Sequence, residues 1–227
     1  MPNYRVIVRD KVIQQDMYYK NQNIMKYTIQ YPQFISMNFQ PFLDKLNSFY
    51  RTRALMYERS NIMNLYQMAM VEYEYSVSNG FPIRQFEAFV DYQVTYNQNC
   101  AISLYFDQYE YAGGAHGLTI RSSDTWNLIK SKKIELNDVF VYRNGLRDYL
   151  VETIISQIEE ENKQGNNNYF EDYRKLVNEN LKLNNFYLTP EGVVLYFQEY
   201  DIAPYASGLT TFLIPYASGV ATQPKCY

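Results

Sequence analysis

Apolar side chains stand at every second position of the segment FEAFVDYQVTY, at Phe86, Ala88, Val90, Tyr92, Val94 and Tyr96. Glu87, Asp91, Gln93 and Thr95 lie on the opposite face. Neighbouring side chains of a strand point to opposite sides of its sheet, so this alternation demands a strand with one buried face and does not suit a helix. The polar NQN that follows turns the chain, and AISLYFDQYEY supplies the second arm of an antiparallel hairpin. A third strand is expected in AHGLTIRSSDTWNL, reached through Gly113 and Gly114, with KKIELNDVF closing the region. The expectation is one sheet containing 85–96, 101–111 and 116–127.

Upstream, YRVIVRDKVIQ (4–14) and IMKYTIQY (24–31) alternate loosely and read as strands, the second broken off by Pro32. Pro41 suits the first turn of a helix. Leu43, Leu46, Tyr50, Ala54, Tyr57, Ile62, Leu65 and Ala69 then make one apolar face. They predict a long amphipathic helix over 41–77 with a break near Ser60 and Asn61, stopped by Asn79-Gly80.

Downstream, Leu146, Leu150, Ile154 and Ile158 recur every four residues and predict a helix over 143–163, with a second carrying Phe170, Tyr173 and Val177. NNFYLTPEGVVLYFQ reads as a hairpin with Pro190 and Gly192 in its turn. PYASG occurs at 204–208 and again at 215–219, a spacing too short for a solenoid repeat, and reads as one strand between two proline turns. Helices grouped between strands indicate an α+β fold, with a mainly antiparallel sheet and the helices packed on it.

Several functions are disfavoured by composition. A net charge of −3 and a pI of about 5.3 argue against a nucleic-acid partner, and Lys130, Lys132 and Lys133 are too short a cluster to form a nucleic-acid arm. The first residues have no apolar core suited to a signal peptide, and no run approaches a membrane span, so a cytoplasmic location is expected if the chain is full length and no leader was removed. The two cysteines, Cys100 and Cys226, lack metal-ligand spacing and could meet only if the tail folds back. A core of this size does not need a bridge, so no obligatory disulfide is expected. No metal and no cofactor are expected. The 25 tyrosines suit half-buried strand faces, and equally an aromatic binding surface.

GGAHG contains the only histidine of the chain, His116. It is not a phosphate loop, because the Lys-Ser/Thr pair and the following helix are missing. General-base catalysis by His116 would need a nucleophile and an orienting carboxylate. No catalytic residue is therefore assigned. Gly113, Gly114, His116 and Gly117 read as a structural motif, with His116 buried and bonded to a carbonyl or carboxylate.

YEYAGGAHGLT, KKIELNDVF and FYLTPEGVVLYFQEYDIAPYASGLTTFLIPY, in that order, resemble the signature of a bacterial family of unknown function. That domain forms the extracellular region of the lysozyme-sensing anti-sigma-V factor and also sits beside the catalytic domain of a peptidoglycan deacetylase. The resemblance implies a C-terminal α+β domain over 83–227 and a smaller companion subdomain over 1–82, usually outside the cytoplasm. It also implies a non-catalytic module binding a protein such as lysozyme, or a cell-wall glycan. The Pro-Tyr turns Pro204-Tyr205 and Pro215-Tyr216 are candidate binding residues, since a tyrosine on a fixed turn loses little entropy on docking. The alternatives are a structural protein of a Tyr-rich cell or spore layer, and a hydrolase using carboxylates such as Asp107 and Glu110.

Overall fold

A computed structural model describes residues 5–142, 144–166 and 168–226. Tyr4 and Arg143, at the expected starts of a strand and a helix, lie outside them. The elements run β1 (Ile7–Tyr19), β2 (Gln22–Ile35), α1 (Gln40–Tyr57), a π-helical turn (Glu58–Ile62) and α2 (Met63–Asn79), then β3 (Phe86–Gln98), β4 (Ala101–Tyr111), β5 (Leu118–Asn127) and β6 (Lys132–Lys133). Next come α3 (Leu146–Lys163), α4 (Tyr173–Asn180), β7 (Phe186–Leu188), β8 (Gly192–Phe197) and β9 (Thr210–Pro215). Strands β1 to β6 form one sheet in chain order, and β7-β8-β9 form a second. The fold is α+β, and the three strands expected in one sheet are in it. β2 and β3 pair in parallel, from Met25 opposite Phe86 to Ile29 opposite Val90.

The chain divides into two compact units, one of Val6–Tyr92 with Phe106–Ile120, the other of Gln93–Tyr105 with the residues from Arg121 onward. β3 begins in the first of these units, paired with β2, and ends in the second. The GGAHG segment likewise belongs with the N-terminal strands.

In the first unit the helix buries the expected stripe: Leu43, Leu46, Tyr50, Ala54 and Tyr57, then Ile62, Leu65 and Ala69. The steps are three and four residues except for the five between Tyr57 and Ile62. A regular helix would turn Asn61 inward there. The wide π turn absorbs the extra residue and restores the phase. Pro32 does not end β2, which is a correction. It sits inside the strand opposite Asp10. Two residues on, the N–H of Phe34 donates to Asn47 Oδ1 (2.7 Å) and its carbonyl accepts from Asn47 Nδ2 (3.0 Å), on the edge away from β1. Pro32 shares that orientation, so its missing N–H costs no ladder bond.

In the second unit α3 buries Leu146, Leu150, Ile154 and Ile158 in a core with Leu188, Val193, Leu195, Phe197, Phe212 and Ile214. The central strand β8 is buried along its whole length. A Cβ on Gly192 would lie 2.3 Å from the carbonyl oxygen of Ile214, so only glycine admits β9 this closely.

Tyrosine hydroxyls are matched to carboxylates. Tyr27 donates to Glu58 (2.6 Å), Tyr57 to Glu110 (2.6 Å) and Tyr169 to Glu161 (2.8 Å), and Tyr92 to Asp10. Burial, then the hydrogen bond to the carboxylate and its charge, raise all four phenols above their ordinary value of 10.0. The folded state therefore holds protons that the unfolded chain releases near pH 10. This stabilisation is complete below that value and lost as pH rises through and above it. Denaturant titrations should give a stability that is steady from about pH 7 to 9 and falls steeply above about pH 10. Tyr57→Phe should soften that fall.

Cys100 and Cys226 form a disulfide, with Cα atoms 5.2 Å apart, against the expectation of no obligatory bridge. Asn99 and Cys100 make the β3–β4 turn in left-handed backbone (φ 51 and 57). The tail folds back onto the core: Val141 N–H donates to the Val220 carbonyl (2.9 Å) and Thr222 N–H to that of Val139 (2.8 Å). The cysteines thus meet because of backbone pairing that sequence spacing does not reveal. The bridge spans a sequence separation of 126 residues. Cys226→Ser should lower unfolding free energy by about 3–5 kcal/mol, read by chemical denaturation with and without reductant.

Candidate functional site

The second unit contains a polar cleft of ≈ 160 Å³ walled by β5 (Arg121 to Thr125), by Lys133 to Glu135 and by Asn184 to Phe186. It holds space for about five waters, one sugar ring or a peptide group, rather than a drug-sized molecule. Its lining charges balance, with Arg121 and Lys133 against Asp124 and Glu135.

Each wall is held by the fold. Gln198, just past β8, clamps the backbone of Arg121: Arg121 N–H donates to Oε1 (2.9 Å) and Nε2 donates to the Arg121 carbonyl (2.8 Å). The Arg121 guanidinium lies 3.8 Å from the ring centre of Tyr105. Behind it Tyr105 packs on Tyr187 (5.1 Å) and Tyr187 on Tyr196 (6.2 Å), an aromatic cluster separate from the main core. Ser123 donates to the Phe186 carbonyl (2.5 Å) and lies 3.1 Å from the Tyr196 hydroxyl. Asp124, only 5% exposed, is paired with Lys133 at 2.5 Å. Asn185 is 8% exposed, and its Nδ2 finds no acceptor among the described residues. A buried amide donor without a partner costs about 1–3 kcal/mol.

A larger groove of ≈ 500 Å³ in the first unit is lined by Lys11, Asp44, Asn47 and Arg51 among others. There Asn47 already spends both amide groups on Phe34. Among the described residues no group of three or more His, Cys, Asp or Glu could hold a metal ion. Asp107 and Glu110 stand three apart on β4 and face opposite sides, and Glu110 accepts from Tyr57.

The candidate tyrosines part ways. Pro204 and Pro215 are exposed, and Tyr205 and Tyr216 are half-buried. Each opens a short 3-10 turn, Tyr205–Ser207 and Tyr216–Ser218, on either side of β9. Tyr216 packs against the main core, and its buried hydroxyl has no partner among the described residues. Tyr205 stacks on Tyr200, which is 48% exposed (6.1 Å, 28°). The residues that sequence reasoning missed are Arg121, Asp124 and Asn185. Only the crossing of β5 with the segment before β7 brings them together.

His116 is exposed, contrary to the expected burial, with Nδ1 2.9 Å from the Gly117 carbonyl oxygen. The glycines around it admit aromatic rings. A Cβ on Gly117 would stand 2.3 Å from the Tyr109 ring, and one on Gly113 (φ +85) 3.0 Å from that of Phe86. The loop closes around these rings and leaves the imidazole outside. A Cβ on Gly114 meets only a backbone oxygen at 3.9 Å. Thermal melts should rank Gly117→Ala as damaging, by about 1–3 kcal/mol, with Gly114→Ala and His116→Ala within about 0.5 kcal/mol of wild type.

Residues 19–119 match a family described as deacetylase PdaC, and residues 137–217 a protein family of unknown function, DUF3298. No curated protein matches. A DUF3298 family structure from Bacteroides fragilis superposes with a TM-score of 0.74 at 18% identity, covering 98% of this chain and 96% of that one. Another from Pseudomonas aeruginosa PAO1 gives 0.59 at 17%, covering 98% and 95%. At such identities the likeness concerns the fold. The chain thus joins a segment similar to the PdaC family to one similar to DUF3298, a family of unknown function.

Proposed function

We propose that this chain is a non-catalytic binding module of the cell envelope, working outside the cytoplasm, whose polar cleft takes a sugar residue of a cell-wall glycan. The observation that carries this reading is the charge-balanced polar cleft that Asn185 helps to line. A neutral ligand rich in hydroxyl and amide groups suits a site whose own charges cancel. An N-acetyl group brings both an amide donor and a carbonyl acceptor to such a polar wall. The disulfide supports an oxidising compartment, and the match to a deacetylase family together with the anti-sigma-like signature supports the envelope. The opposed faces of Asp107 and Glu110 favour binding over hydrolysis.

A second reading, a protein partner, is favoured by the stacked Tyr200–Tyr205 pair at the Pro204 turn. Calorimetry with tri-N-acetylchitotriose, muropeptides and c-type lysozyme separates the two. Saccharide binding that Asn185→Ala weakens by about tenfold supports the cleft. Lysozyme binding that Tyr205→Ala weakens, with an unchanged melting temperature, supports the protein partner. No heat with any of the three ligands overturns both.

A further inference from the structure

The cluster Lys130, Lys132 and Lys133, too short for a nucleic-acid arm, is divided by the fold. Asn127 Oδ1 accepts from the N–H of Ile129 (3.1 Å) and of Lys130 (2.8 Å) and so shapes the β5–β6 turn. Neighbours on β6 face opposite ways, so Lys133 turns to Asp124 and the Trp126 ring while Lys132 turns to the other side. There a second cleft of ≈ 390 Å³ opens, lined by Asn127, Lys130, Lys132, Asp138, Lys225 and the tail residues Thr222 to Pro224, among others.

Its charges do not balance. Three lysines face one carboxylate, and Asp138 Oδ2 already accepts from the Glu135 N–H at the start of a 3-10 turn (3.2 Å). This local excess stands against a net charge of −3 for the chain. One wall is the C-terminal tail, held by the Cys100–Cys226 disulfide one residue beyond Lys225 and by the bond from Asn99 Nδ2 to Gln223 Oε1 (3.3 Å). The disulfide thus holds the tail that brings Lys225 into the lining of the cleft with Lys130 and Lys132.

We propose that this cleft binds a phosphate-bearing chain, with Lys130, Lys132 and Lys225 as its cationic contacts and the disulfide as the clasp that keeps the site assembled. Lysine acts on phosphate as a point charge, so several converging lysines suit a flexible polyanion better than a single planar carboxylate. A concave site favours a polymer over a bilayer surface, whose headgroups lie in a plane.

Calorimetry with tripolyphosphate tests this on the full chain. Wild type should bind saturably, and more weakly as salt rises from about 50 to about 200 mM. Lys130→Glu with Lys132→Glu should weaken binding by about tenfold or more without moving the melting temperature. Cys226→Ser should weaken it too. The lysine variant keeps the test decisive if the cysteine variant is poorly folded. No saturable binding by wild type, or undiminished binding by the lysine variant, overturns the proposal. So does attachment to phosphatidylglycerol vesicles without tripolyphosphate binding. Chitotriose binding by the lysine variant should be unchanged, so failure here is distinct from failure of the saccharide reading.

Discussion

Burying a tyrosine hydroxyl is costly unless it finds a partner, and much of this structure follows from meeting that demand, Tyr216 being an exception among the described residues. Tyr27, Tyr57, Tyr92 and Tyr169 take Glu58, Glu110, Asp10 and Glu161. Each bond joins residues distant in sequence, except that of Tyr169, which spans eight residues. The tyrosine-rich composition is therefore a device for cross-linking elements. It also commits carboxylates: Glu110, which looks available for acid-base chemistry in the sequence, holds the helix to β4.

Exposed strand edges are managed by side-chain amides that imitate a neighbouring strand. Asn47 does this for Phe34 of β2, Gln198 for Arg121 of β5, and Gln157 donates to the Leu213 carbonyl of β9 (3.0 Å). Free edges invite unwanted pairing, so each amide removes a hazard. One of them also positions a side chain that lines the polar cleft. By pinning the Arg121 backbone, Gln198 sets the guanidinium over Tyr105 at the rim of the cleft.

The two clefts of the second unit differ in charge, and Lys132 and Lys133 lead into different ones only because they are adjacent on a strand. Local parity thus converts one basic cluster into a balanced site and a cationic one. The first is the proposed saccharide site and the second the proposed site for an anionic chain.

Much of the fold was written locally. Period-two alternation placed β3 to β5, and the apolar stripe from Leu43 to Ala69 marked the helix; the break expected near Ser60 and Asn61 is a π turn instead. These patterns are legible because they express burial of one face of a single element. The parallel pairing of β2 with β3, the Cys100–Cys226 bridge and the exposure of His116 were not legible. Each depends on segments far apart in the chain. The same holds for the candidate site: Arg121, Asp124 and Asn185 carry no motif, and a bare asparagine before β7 looks like a turn residue. Only tertiary packing buried its amide beside an arginine and an aspartate, because a side chain's partners are set by which strands cross and not by its sequence neighbours.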